Sequence, residues 1–96
     1  MCVAEIAIPE AGSLKDKRRV VRSLKDQIRN KFNVSIAEVA ANEIYTLAVL
    51  GMASVSNEAR YLEGQMSHLE EILEKISGGM LSWFEYTIEQ HGEDSE

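Results

Sequence analysis

The chain passes twice from a hydrophobic period of two to one of 3.6 and back, which divides it into six elements. VAEIAI (3–8) alternates, with Ala4, Ile6 and Ile8 on one side and Val3, Glu5 and Ala7 on the other, as a strand with one covered face does. PEAG (9–12) supplies turn residues. Ser13 with Asp16 three positions on then forms an S-x-x-D capping box for a helix expected to run to about Asn30. At about 100° per residue, Leu14, Val20, Val21, Leu24, Ile28 and Phe32 gather on one arc of that helix, which faces the core. NVSIAEVA (33–40) and IYTLAVLGMASV (44–55) are rich in β-branched and apolar residues, and the short ANE between them predicts a tight antiparallel hairpin. Gly51 within the second of these strands marks a bulge or a close backbone approach.

A second helix is expected over 58–77, capped by Ser56 or Asn57, with Ala59, Leu62, Met66, Leu69, Leu73 and Ile76 on one face. Gly64 weakens it by up to about 1 kcal/mol relative to Ala. Gly78 and Gly79 end it, and MLSWFEYTIE (80–89) alternates as a last strand, with Phe84, Tyr86 and Ile88 opposite Trp83, Glu85 and Thr87. HGEDSE (91–96) reads as a flexible, acidic, solvated tail.

The resulting order, β-α-β-β-α-β with helices amphipathic on one face only, is that of an α+β, ferredoxin-like split βαβ domain over residues 1–90. Two helices cover one face of a four-stranded antiparallel sheet. With 96 residues the chain makes one domain and buries roughly 60 to 65 percent of its unfolded surface. The uncovered face must meet water or a partner. The third strand offers it either Thr46, Ala48, Leu50 and Met52 or Tyr45, Leu47, Val49 and Ala53, and Val39 or Ile36 with Val3 and Trp83 extends the patch. Both sets are apolar, so a homodimer through this face or the adjoining strand edge is expected.

Charge changes this picture in one place. The net charge is −6, but residues 15–31 hold eight of the ten Lys and Arg residues against Asp16 and Asp26, leaving +6 there and −12 elsewhere. Since the Debye length is about 8 Å at physiological ionic strength, distant acids do little to cancel a compact basic patch. On the helical wheel Lys15, Arg18, Arg22, Lys25 and Arg29 fall within about 80° of one another, with Arg19 about 40° beyond. Arg18, Arg22, Lys25 and Arg29 step by 4, 3 and 4 residues and project along about 16 Å, enough to meet several phosphates at once. A solvated helix face more often mixes signs, because like charges at this spacing repel; here only Asp26 lies beside the stripe. Lys17 points into the apolar arc instead. It is expected to snorkel past Leu14 and Val21 to water, or to serve structurally if a sheet carboxylate pairs with it.

SLKDKRRVVRSL, RNKFNVSIAEV and LGMASVSN resemble corresponding stretches of the YlxP-like family of small bacterial proteins, a domain of unknown function, and the resemblance spans about residues 3–89. It implies a ferredoxin-like fold, in agreement with the pattern, and a setting among translation and ribosome-maturation genes. The first strand is shorter than the resemblance implies and Ala40, Ala41 and Asn42 are less polar, but neither departure touches the basic helix.

Other chemistries find little support. GSLKDK matches neither a phosphate-binding loop nor a dinucleotide fingerprint, so Gly12 and Ser13 are a turn and a cap. No catalytic residue, cofactor site or metal site is expected: there is one Cys, the acids Glu63, Glu70, Glu71 and Glu74 solvate the second helix, and His68 and His91 are not spaced as a ligand pair. Cys2 is expected to act as a small apolar residue. The open sheet face, carrying Glu5, Glu85, Ala48 or its neighbours and a single aromatic, Trp83, lacks the stacking platform of sheet-type RNA binders. MCVAEIAIPE has Glu5 where a secretory signal would be apolar, which predicts a cytoplasmic protein, and no run reaches transmembrane length, so no membrane partner is expected. The sequence thus points to a non-catalytic RNA- or ribosome-associated accessory factor binding through the first helix. The alternative is a protein-interaction module that docks an acidic partner on the same helix.

Overall fold

The computed structural model describes residues 1–90, so the tail expected over 91–96 lies outside the described residues. The elements are β1 (Cys2–Ala7), α1 (Leu14–Lys31), β2 (Ser35–Ala40), β3 (Leu47–Ala53), α2 (Ala59–Ile76) and β4 (Leu81–Tyr86). The strands form one sheet in the order β2-β3-β1-β4, antiparallel throughout. This is the expected ferredoxin-like arrangement.

Alternation in β1 holds: Cys2, Ala4, Ile6 and the following Ile8 are buried, and Val3, Glu5 and Ala7 lie on the open face. Register carries the same phase across the sheet, since Ala4 sits between Leu50 and Phe84 while Glu5 sits between Val49 and Trp83. Onto the covered side pack Val21, Leu24, Ile28 and Phe32 of α1 and Met66, Leu69 and Leu73 of α2. Each such side chain contributes about 1.5–3 kcal/mol by leaving water. Val20, at the edge of the arc, departs from the reading and is 37% exposed.

The ends of the helices differ. At α1 the Ser13 hydroxyl accepts from the Asp16 N–H at 3.1 Å, as expected, but the Asp16 carboxylate reaches back one residue further, accepting from the Gly12 N–H at 3.0 Å. At α2 neither Ser56 nor Asn57 is the cap. Glu58 takes that position in an extended conformation and makes no side-chain capping bond, while the Ser56 hydroxyl accepts the Glu58 N–H at 3.2 Å in a turn before the helix. The exit of α2 is well made: Gly78 and Gly79 have φ of 68° and 82°, Gly79 N–H donates to Glu74 C=O and Gly78 N–H to Lys75 C=O. That paired arrangement satisfies two carbonyls of the last turn and needs residues without a Cβ penalty at positive φ.

The β2–β3 hairpin is where the expected outline changes most. Its connection is not ANE but runs over residues 41–46, with Ala41 at φ 56° and Ile44 N–H donating to Ala41 C=O at 3.0 Å. The register shifts between Glu38 and Ala40, which makes Val39 the extra residue of a bulge. Gly51 answers to the close approach: a Cβ there would stand 2.8 Å from a Val39 methyl. Register also settles the open face. Ala48, Leu50, Met52 and Ile36 belong to the core, so the face carries Leu47, Val49 and Ala53 with Val39, Val3, Trp83, Glu5 and Glu85. Tyr45 and Thr46 precede the strand.

Candidate nucleic-acid interface

Once α1 lies with Val21, Leu24 and Ile28 against the sheet, 3.6-residue geometry turns its basic stripe outward. Lys15, Arg18, Arg19 and Arg22 are exposed, and Lys25 is half-buried. Arg29 is held more firmly: its Nη2 donates to the Ile36 carbonyl at 3.2 Å, and its Nη1 stands 4.0 Å from Asp26 Oδ1. Among the described residues, Lys15, Arg18, Arg19, Arg22 and Lys25 have no ion-pair partner. All six predicted residues therefore share one helix face. The guanidinium groups at 18, 19 and 22 can each offer two parallel N–H donors to a phosphate, Arg29 has one donor of its fork taken by Ile36, and the amines add unoriented charge.

Lys17 takes the opposite course. Its side chain does not snorkel to water; it is 2% exposed, and its Nζ donates to Ala41 O at 2.6 Å and Ile44 O at 2.7 Å. Glu38 Oε2 lies 2.6 Å from the same nitrogen, a charge contact outside hydrogen-bond alignment. The structural alternative thus holds, with Glu38 as the sheet carboxylate. One ammonium holds two carbonyls of the β2–β3 connection, those of Ala41 and Ile44, which face inward to the lysine. The same contacts tie the first turn of α1 to the hairpin, and so set the angle at which the basic stripe faces outward.

The remaining titratable groups fall outside this face. Cys2 is 1% exposed, and burial pushes its thiol from 9.0 up to about 11; the N-terminal ammonium opposes this and Glu70 adds to it. Such a thiol stays protonated and unreactive near neutral pH. Among the described residues, no group of three or more His, Cys, Asp or Glu is placed to hold a metal ion. Nor is any helix of the described residues long and apolar enough to cross a membrane.

One polar residue escaped the sequence reading. Gln65 is 9% exposed, its Oε1 has no hydrogen-bond partner, and it lies within the apolar side of α2. The signal was its spacing, three residues after Leu62 and four before Leu69, which puts it on the inward arc.

A split βαβ domain whose first helix is cationic on its outer face is the class these observations define. The sequence matches the family described as "Protein of unknown function (DUF503)" over residues 1–85, and the chain belongs to that family. It is similar to the uncharacterized protein YlxP of Bacillus subtilis (strain 168), 35% identical over 65 residues that cover 68% of this chain and 71% of that protein.

Proposed function

We propose that the protein is a non-catalytic accessory factor that binds RNA, as part of a ribosomal particle, through phosphate contacts from the outer face of α1. The observation that carries this reading is five cations on one helix face with no acidic partner among the described residues, in a chain that is acidic elsewhere. A helix selected for solubility alone gains from interleaved Glu and Lys, whereas this one tolerates repulsion along its length. Its ligand supplies the missing charge. The protein works in the cytoplasm, where such particles are assembled. Binding of single-stranded RNA across a salt series tests this. Four phosphate contacts to a single strand give a log–log slope of about −3, and replacing Arg18, Arg22, Lys25 and Arg29 with Ala removes most of it. Absence of binding at low salt, or equal binding by both proteins, refutes the reading.

The competing occupant of the same face is an acidic protein surface, favoured by the exposed Glu63, Glu70, Glu71 and Glu74 of α2, which a second copy could present. A partner retained after nuclease treatment, and lost with the α1 substitutions, would select it.

Self-association forms part of the same proposal. Val39 on the β2 edge and Trp83 on the β4 edge are 51% and 52% exposed, and between them the open face carries Leu47, Val49 and Val3 together with the half-buried Glu5. Two copies meeting there cover both, leaving the α1 stripes on the outside of the pair. Light scattering over a concentration series decides the matter: a mass that stays at 10.7 kDa at tens of micromolar refutes the dimer.

A further inference from the structure

The antiparallel packing of the helices brings the C-terminal end of α1 beside the N-terminal half of α2, and between them lies a groove of about 400 Å³. That volume falls within the range of small-molecule sites. Tyr61, Gly64, Gln65 and His68 line it from α2, and their spacing of 3, 1 and 3 residues puts them on a single face of the helix. Lys31 and Arg60 stand at its margin, one from each helix. Tyr61 is 54% exposed, so its ring is available, while His68 is held edge-on to Phe32 with ring centres 5.3 Å apart.

Two features of this groove have no structural use within the chain. Gly64 weakens the middle of α2, yet a Cβ there would meet nothing within 4 Å, so packing does not require a glycine. What its absence of a side chain does is keep the groove open between Tyr61 and His68, which are about 10 Å apart along the helix. Gln65 is nine-tenths buried and lines the groove, and its Oε1 accepts no hydrogen bond. Buried polar atoms are satisfied in the great majority of cases; this acceptor is closed off from solvent as it stands, and a turn of the Gln65 side chain would bring it to the groove, where a ligand can supply the donor.

We propose that this groove binds one nucleoside phosphate unit. Its base stacks on Tyr61 over Gly64, the Gln65 side chain turns so that its amide oxygen accepts from an N–H of the base edge, and its phosphate lies between Lys31 and Arg60. Each element answers to a different part of such a ligand. Inorganic phosphate would leave Tyr61 and Gln65 unused, and an aliphatic chain would leave both cations and the amide unpaired. The unit is either a free nucleotide or an unpaired nucleotide of an RNA. The second source rests on the proposed function: Lys31 lies about 160° around α1 from Arg29, so one RNA would pass round the end of α1 to meet both.

Amide chemical shifts of the full chain, titrated with each of the four nucleoside 5′-monophosphates and separately with a short single-stranded RNA, test the proposal. Perturbations are expected at residues 31–33 and 60–68. Gly64→Leu, which introduces a helix-favouring side chain into open space, should weaken binding at least tenfold without lowering Tm. Gln65→Leu, which keeps the burial and removes the amide, should weaken it as well. Unchanged affinity in Gly64→Leu overturns the groove, as do shifts confined to the outer face of α1. If that occurs while RNA still binds through α1, the proposed function stands and the groove falls. If mononucleotides bind at the groove and RNA does not bind at all, the groove stands as a free-nucleotide site and the RNA reading falls. No response to either ligand refutes both.

Discussion

The two helices have the same length, 18 residues each, and lie on the same sheet face, yet they are secured in opposite ways. α1 is fixed at its start by the Ser13 and Asp16 caps and from beneath by Lys17, whose ammonium meets two carbonyls and a carboxylate. Nothing caps the start of α2; it carries a glycine with free space around it and buries an amide oxygen that has no partner. Its hold is apolar, through Met66, Leu69 and Leu73, and through the glycine pair at its exit. Polar contacts fix orientation, because they have direction; apolar burial fixes proximity and leaves small rotations cheap. The helix that displays the charged stripe is the one held by directed polar contacts from beneath, whereas α2, across the groove from its end, rests on apolar burial.

The sharpest way to break this contrast is at Lys17. Lys17→Met leaves the Glu38 carboxylate and two inward carbonyls without their cation, and is expected to cost about 3–5 kcal/mol in denaturant unfolding. Adding Glu38→Gln should recover part of that loss, because the stranded charge is then gone. A cost below about 1 kcal/mol would mean that α1 is held no more firmly than α2.

Beneath α2, Cys2 gives an effect that depends on pH. Its thiol titrates at about 11 in the folded chain against 9.0 when unfolded. The folded state therefore holds a proton that the unfolded state has released between those values, and stability falls as pH rises through that window by about 2–3 kcal/mol. Cys2→Ala should flatten this part of the pH profile. Below pH 9 the native thiol should also resist alkylation until the chain unfolds.

Capping gives a direct comparison of the two starts. Ser13→Ala is expected to destabilise by about 1 kcal/mol, and Ser56→Ala by less than about 0.5 kcal/mol, since its hydroxyl serves a turn outside the helix. Equal losses would show that α2 is capped after all. The smallest effect has the opposite sign: Gly64→Ala should stabilise the protein by about 0.5–1 kcal/mol, read as a rise in Tm.

Much of this was legible in the chain. The period of the apolar positions placed every element to within a few residues, Ser13 and Asp16 marked the start of α1, and Gly78 and Gly79 its counterpart's end. The basic stripe followed from spacing alone, because residues at 18, 22, 25 and 29 share a face of any helix. Misreadings arose where a distant residue decides. Lys17 could not be assigned to water or to a partner without Glu38, 21 positions along the chain. The β2–β3 connection that Lys17 holds is also longer than the three residues its sequence suggested. Gln65 was missed because a single amide in an apolar arc does not disturb the periodic signal.

Local sequence, then, determined which segments are helix or strand, which side of each is apolar, and that one helix carries the positive charge, since those properties depend on side chains a few positions apart. Tertiary structure alone decided which alternation of β3 faces outward, why Val39 bulges over Gly51, that Lys17 closes the hairpin, and that Lys31 and Arg60 border one groove. Each of those depends on the register of strands or the crossing of helices. Such contacts join residues far apart in the chain, and the energy that selects them comes from packing and buried charge, which no short window of sequence contains.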